Sequence, residues 1–113
     1  MLLKKIEKSF MRSWVEIDLK QIKQNYEIYR NICCFDAEIM AVVKADAYGH
    51  GAVEVSRCLE SLGVEKWAVS NLLEAIELRE AGISGDILIL GYTPIDYLQL
   101  VKNYNITQTL VSE

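Results

Sequence analysis

Apolar residues along this chain keep two different rhythms in turn, and the alternation predicts an α/β fold. Leu19, Ile22, Tyr26, Tyr29 and Cys33 recur at spacings of three and four, one face of a helix with Tyr26 and Tyr29 in its core. Asp18 is placed to cap that helix by accepting from the Gln21 amide, and the Gln21 side chain can reach back. The β-rich run Trp14-Val15-Glu16-Ile17-Asp18 before it predicts a first strand. A second strand is predicted over 38–44, then a glycine-containing turn and a helix over 51–62 that Gly63 stops. The third strand, 66–70, runs into Asn71-Leu72-Leu73-Glu74, a cap residue with an acid three places on, and a helix ending near Gly82. The fourth, 86–90, is followed by Thr93 as cap, Pro94 at the first helical position and a helix to about Tyr104. A short run over 107–111 closes the pattern.

The runs 39–43 and 87–90 are apolar at every position, so both faces of these strands are expected to be buried between helices, as in a parallel sheet. Repeated β-α units mean a doubly wound sheet or a (β/α)8 TIM barrel. No Gly-x-Gly-x-x-Gly follows the early strands, which disfavours a dinucleotide fold. A whole barrel needs roughly 250 residues, so 113 residues hold about half its units. The expected fold is the N-terminal portion of a (β/α)8 TIM barrel.

Composition narrows the function classes. With 51% hydrophobic and 25% charged residues the chain is an ordinary globular sequence. A net charge of −4 and a pI near 5.0, with basic residues scattered among acids, set aside nucleic acid and anionic lipid as partners. Cys33, Cys34 and Cys58 match neither a metal-ligand spacing nor a disulfide framework, so half-buried thiols of a reducing compartment are expected. No apolar run reaches membrane-spanning length and no secretory leader pattern opens the chain. A soluble cytoplasmic protein without metal is the expectation.

Parallel βα architectures collect their chemistry at the C-terminal ends of the strands. Lys44 stands at that end of the most apolar strand. An amine there is partly desolvated and, when neutral, is a nucleophile toward an aldehyde. Most lysines that end a strand merely meet water, so position alone does not select it.

Its surroundings do. The run Ala41-Val42-Val43-Lys44-Ala45-Asp46-Ala47-Tyr48-Gly49-His50-Gly51 resembles, over its whole length, the cofactor-binding signature of the alanine racemase family. Trp14-Val15-Glu16-Ile17-Asp18-Leu19 resembles the family's opening strand. Ala68-Val69-Ser70 with Glu74-Ala75, and Gly85-Asp86-Ile87-Leu88-Ile89-Leu90-Gly91, resemble later junctions. The likeness covers everything after about Arg12, so residues 1–12 are expected to be a lead segment and 13–113 a partial barrel domain. The resemblance implies that Lys44 bonds pyridoxal 5'-phosphate and works as the proton-transfer base on one face of the substrate. It implies that Tyr48 places its hydroxyl on the cofactor phosphate, and that Val42 and Leu90 line the pocket. The free amides of the helix after Tyr48 are expected to face the phosphate as well.

The family's second base is a tyrosine from a C-terminal β-domain, contributed across a head-to-tail homodimer, and an arginine meets the pyridine nitrogen. Neither is expected within these residues, so the isolated chain is not expected to be a competent two-base racemase. The implied substrate is a small amino acid, with D-alanine for cell-wall precursors as the product. Gly91-Tyr92-Thr93-Pro94 is similar to the serine/alanine racemases linked to vancomycin-type resistance, which makes serine a second candidate. Two other readings stay open: a non-racemising pyridoxal-phosphate homeostasis protein, whose lysine motif usually differs, and an inactive remnant. For the remaining polar residues the expectations are structural. His50 makes a loop hydrogen bond, Gly49 and Gly51 serve backbone geometry and close packing, Asp46 anchors the loop or faces solvent, and Tyr92 packs at the surface.

Overall fold

The computed structural model describes residues 14–33 and 36–111. Helix α1 (Leu19–Ile32) leads to strand β1 (Met40–Val42), which passes through a short helical turn, α2 (Lys44–Tyr48), into α3 (Ala52–Ser61). Then come β2 (Lys66–Val69), α4 (Leu72–Glu80), β3 (Asp86–Ile89), a 3-10 turn (Ile95–Tyr97) running into α5 (Leu98–Asn103), and β4 (Thr107–Gln108). The strands are parallel and lie side by side in chain order. A doubly wound sheet reverses its order at a switch point. Here each new strand is laid on the same edge, the progression by which a barrel is built.

Register decides which side chains share a face. Ala41, Trp67 and Ile87 stand in one row, and Val42, Ala68 and Leu88 in the next. The first set, with Val43, Val69 and Ile89, forms one buried cluster with Val55 of α3, Ala75 and Leu78 of α4, and Val101 of α5. Trp67, Leu78, Ile87 and Ile89 are wholly inaccessible, and each such side chain contributes roughly 1.5–3 kcal/mol. The opposite face differs from expectation, because among the described residues no helix covers it. Met40, Val42 and Leu90 are 41%, 43% and 44% exposed. Apolar residues on both faces of these strands reflect one helical layer and one barrel-interior side rather than two helical layers.

Several local expectations are corrected. Residues 14–18 are irregular rather than a strand, and they take no place in the sheet order of the described residues. On α1, Ile22 and Tyr26 pack against the core, but Leu19 is exposed and Tyr29 is 66% exposed. The helix leans chiefly on α3, so its buried stripe is narrower than its apolar one. Thr93 does not cap a helix, because its hydroxyl donates to Gln108 Oε1, and Pro94 (φ −57°, ψ 144°) precedes a 3-10 turn rather than opening an α-helix. Asp18 does cap α1, accepting from Lys20 and Gln21, while the Gln21 side chain reaches Asn25 instead of turning back. Cys33 and Cys58 are half-buried free thiols; Cys34 and the lead segment lie outside the described residues. Among the described residues no helix is long and apolar enough to cross a membrane.

The N-terminal ends of the strands are heavily stitched. Arg79 of α4 donates to four carbonyls, those of Ile83 (2.9 Å), Gly85 (2.8 Å), Tyr104 (2.9 Å) and Asn105 (2.9 Å), joining the loops that enter β3 and β4. Glu60 accepts from the Ser84 amide at 2.8 Å, and Trp67 Nε1 donates to Ser84 O at 3.0 Å. Lys66 reaches Glu38 at 3.1 Å and Asp86 at 3.4 Å. Hydrogen bonding to Glu38, then to Asp86, raises its titration above the ordinary lysine value. Replacing Arg79 by methionine keeps much of the stem and removes every donor. In the protein as its gene encodes it, Arg79→Met should cost about 2–3 kcal/mol, read as a lowered urea midpoint at unchanged m. An unchanged midpoint would refute this account of how the lower loops are held.

Candidate active site

Beyond β1 the sheet ladder continues for one more bond, Val43 N–H donating to Ala68 O at 2.9 Å. The backbone then changes hand. Ala45, Asp46, Ala47 and Tyr48 take φ values of 50°, 54°, 54° and 56°. Four consecutive L-residues in the left-handed region are unusual, since each costs roughly 1–2 kcal/mol. Gly49 and Gly51 follow at φ 85° and 91°, where glycine carries no such cost. A Cβ at either would meet nothing within 4 Å, so both serve backbone geometry and not close packing.

The turn is held from several sides. Ala47 N–H donates to Val43 O at 2.9 Å and Gly51 N–H to Asp46 O at 2.9 Å. Asp46 Oδ1 accepts from Ala52 N–H at 2.8 Å, capping α3. His50 is the expected loop residue: its Nδ1 lies 2.9 Å from Ala47 O, a carbonyl that can only accept, which assigns the ring proton to Nδ1. The Ala47 methyl is buried in the core. From the next βα unit, Glu74 reaches across to accept from Ala45 N–H at 3.0 Å. Sequence reasoning placed Glu74 only as a capping acid, and nothing local in the sequence links positions so far apart.

This turn brings Lys44 and Tyr48 together, with the Lys44 Nζ over the Tyr48 ring at 6.0 Å from its centroid. Lys44 is half-buried, and Tyr48 is 61% exposed. Among the described residues Lys44 makes no ion pair. Val42 and Leu90 are on the open face of the sheet, each two residues past a position of that face, Met40 and Leu88. They do not adjoin each other, because β2 runs between their strands and leaves about 10 Å. One expectation changes here. The first amide of α3 is already taken by the Asp46 carboxylate, so an anion of the protein's own occupies the helix start that was expected to serve a phosphate. Tyr92 is 74% exposed.

The strand order and the placing of Lys44 and Tyr48 at the C-terminal end of an apolar parallel strand fit a βα-barrel, a fold that gathers functional side chains at that rim. The chain belongs to the family described as alanine racemase, N-terminal domain, whose profile matches residues 17–113. It is 46% identical over 97 residues to an alanine racemase of Carboxydothermus hydrogenoformans, covering 86% of this chain and 26% of that protein. An amino-acid racemase of Enterococcus faecalis is 45% identical over 104 residues, 92% of this chain and 15% of the relative. Among solved structures, alanine racemase of Clostridium difficile 630 in complex with cycloserine superposes with a TM-score of 0.87 at 43% identity, over 91% of this chain and 28% of the other. The chain thus spans about a quarter of the length of the alanine racemases it matches, and its fold is the N-terminal portion of their barrel.

Asp46 should prove the internal anchor of the turn. Asp46→Ala removes the α3 cap and puts a residue less tolerant of the left-handed region in its place. The expected loss is about 1–2 kcal/mol, with faster hydrogen exchange at the Ala52 amide, whereas Asp46→Asn keeps an acceptor and most of the stability. Equal stability of Asp46→Ala and the natural protein would rule this anchor out.

Proposed function

We propose that this chain carries the cofactor-bonding lysine of a pyridoxal-phosphate-dependent amino-acid racemase. The observation that carries the reading is the pairing of the Lys44 amine with the Tyr48 ring on one strained turn at the upper end of β1, within a chain of the alanine racemase family. The donor set fits such a cofactor. A half-buried amine without an ion pair among the described residues suits an aldehyde, a neighbouring phenol suits a phosphate, and an apolar sheet face suits an aromatic ring. Pyridoxal phosphate, when bound, supplies an electron sink that lets the Cα proton of an amino acid leave.

The remaining work falls to the protein. Lys44 would hold the cofactor through Nζ and, as a base, would take up or return a proton at Nζ on one face of the substrate. Tyr48 donates its hydroxyl to the phosphate, and Val42 and Leu90 shield the ring from water. Inversion also needs a proton carrier on the other face. By the family resemblance we expect it from a tyrosine of a second subunit, so the working enzyme is proposed to be a homodimer. Alanine is the first candidate substrate, with D-alanine for cell-wall precursors made in the cytoplasm. Serine is a second, favoured by the Gly91-Tyr92-Thr93-Pro94 run.

The test uses the protein as its gene encodes it. Incubation with pyridoxal phosphate, borohydride reduction and peptide mapping should find the adduct on Lys44, and D-alanine should form from L-alanine. Lys44→Ala should abolish both. Tyr48→Phe should still give the Lys44 adduct at saturating cofactor, with about tenfold weaker binding, equivalent to about 1.4 kcal/mol. An adduct without D-alanine would indicate a binding protein rather than a racemase. Absence of any adduct at Lys44 would end the proposal.

A further inference from the structure

A carboxylate of the next βα unit reaches the turn that carries Lys44. Glu74 lies in the first turn of α4, where a capping acid would turn back to the N–H of Asn71. It does something else. Its Oε1 accepts from Ala45 N–H at 3.0 Å and its Oε2 from Ser70 N–H at 2.7 Å, while its own N–H donates to Asn71 Oδ1 at 3.0 Å. One side chain thereby joins the residue after Lys44, the end of the neighbouring strand and the start of the next helix.

The place of attachment matters. Ala45 is the first residue of the left-handed run, so its N–H sets the direction in which the turn leaves β1. Hydrogen bonds to an ionised carboxylate are stronger than neutral ones, and a carboxylate can accept two N–H groups at once, whereas a primary amide offers one acceptor and a donor that repels the second N–H. The negative charge also suits the first turn of α4. The geometry points to Glu74 as a positioning residue for Lys44: by accepting from Ala45 and Ser70 together, it fixes the left-handed turn to the upper end of β2 and keeps the Lys44 amine beside Tyr48. This inference rests on the reading of Lys44 as the cofactor-bonding residue. Glu74 touches neither amine nor phenol, and acts only through the backbone next to them.

The test compares the natural protein with Glu74→Gln and with the double variant Ala45→Gly, Glu74→Gln, all as the gene encodes them and at a temperature where each is fully folded. Two readouts are needed. The first omits the cofactor: hydrogen exchange at the Ala45 and Ser70 amides, and competitive acetylation of Lys44 by acetic anhydride. The second is the rate at which pyridoxal phosphate becomes borohydride-trappable on Lys44. Glu74→Gln should accelerate exchange at one or both amides, change the acetylation rate of Lys44 relative to the other lysines, and slow capture roughly tenfold. Ala45→Gly removes the Cβ cost of the left-handed conformation, so the double variant should regain several-fold of the lost capture rate. A residue that merely stabilised α4 would show no such rescue. Unchanged exchange, acetylation and capture in Glu74→Gln would overturn the positioning role, as would slowed capture that Ala45→Gly does not relieve. If the natural protein forms no adduct on Lys44, the functional reading has failed instead, and the exchange and acetylation data still decide whether the clamp exists.

Discussion

Four L-residues held left-handed between β1 and α3 set the terms for everything at the upper end of the sheet. The conformation costs of order 4–8 kcal/mol, a large fraction of a domain's net stability. What offsets it is visible in the same few residues. Glu74 supplies two bonds to an ionised acceptor, worth roughly 3–6 kcal/mol together. The Asp46 cap on Ala52 adds about 1 kcal/mol, and the Ala47 methyl is buried with the core. Gain and cost are of similar size, so the turn persists only while its anchors do.

The two ends of the sheet divide the labour. At the N-terminal ends, Arg79, Glu60, Trp67 and Lys66 tie the entering loops together through contacts that no substrate would need. At the C-terminal ends the hydrogen bonds serve particular positions, with Glu74 on Ala45 and Gln108 on Gly91. Gly91 itself has little freedom to change, since a Cβ there would stand 2.5 Å from Ser70 O. This is the usual arrangement of βα barrels, stability below and chemistry above. It accords with a lysine on the upper rim that makes no ion pair among the described residues, while Lys66, below, holds two.

Much of this was legible in the sequence, for identifiable reasons. Strands β1, β2 and β3 and the helices α3 and α4 announce themselves by uninterrupted apolar runs, caps at Asn71 and stops at Gly63, signals that act within a few residues. The pairing of Lys44 with Tyr48 was implied by the resemblance of residues 41–51 to a family signature, and the turn brings the two side chains together. Harder to read was anything decided at a distance. Residues 14–18 have a strand's composition but take no place in the sheet of the described residues. Tyr29 keeps the helical spacing yet faces away from the core. The Thr93 hydroxyl, placed to cap, finds Gln108 instead. Glu74 looked like an ordinary capping acid because its true partner is 29 residues earlier. The left-handed turn gave no warning either, since none of its four residues is glycine.

That absence of glycine is itself informative. A sequence optimised only for folding would place glycine at 45 and 47, where the backbone takes positive φ, and would remove most of the local cost. It would also make the turn soft, because glycine reaches other conformations as readily as this one. Alanine at both positions makes the turn costly but narrow: once Glu74 and Asp46 hold it, few alternatives remain near in energy. On the proposed reading of Lys44, an amine that must meet a bound aldehyde at a fixed place gains from a stiff attachment more than it loses from a strained one. Local rules of backbone preference are broken where position matters more than stability, and in this chain the breach falls on the residues between Lys44 and Tyr48.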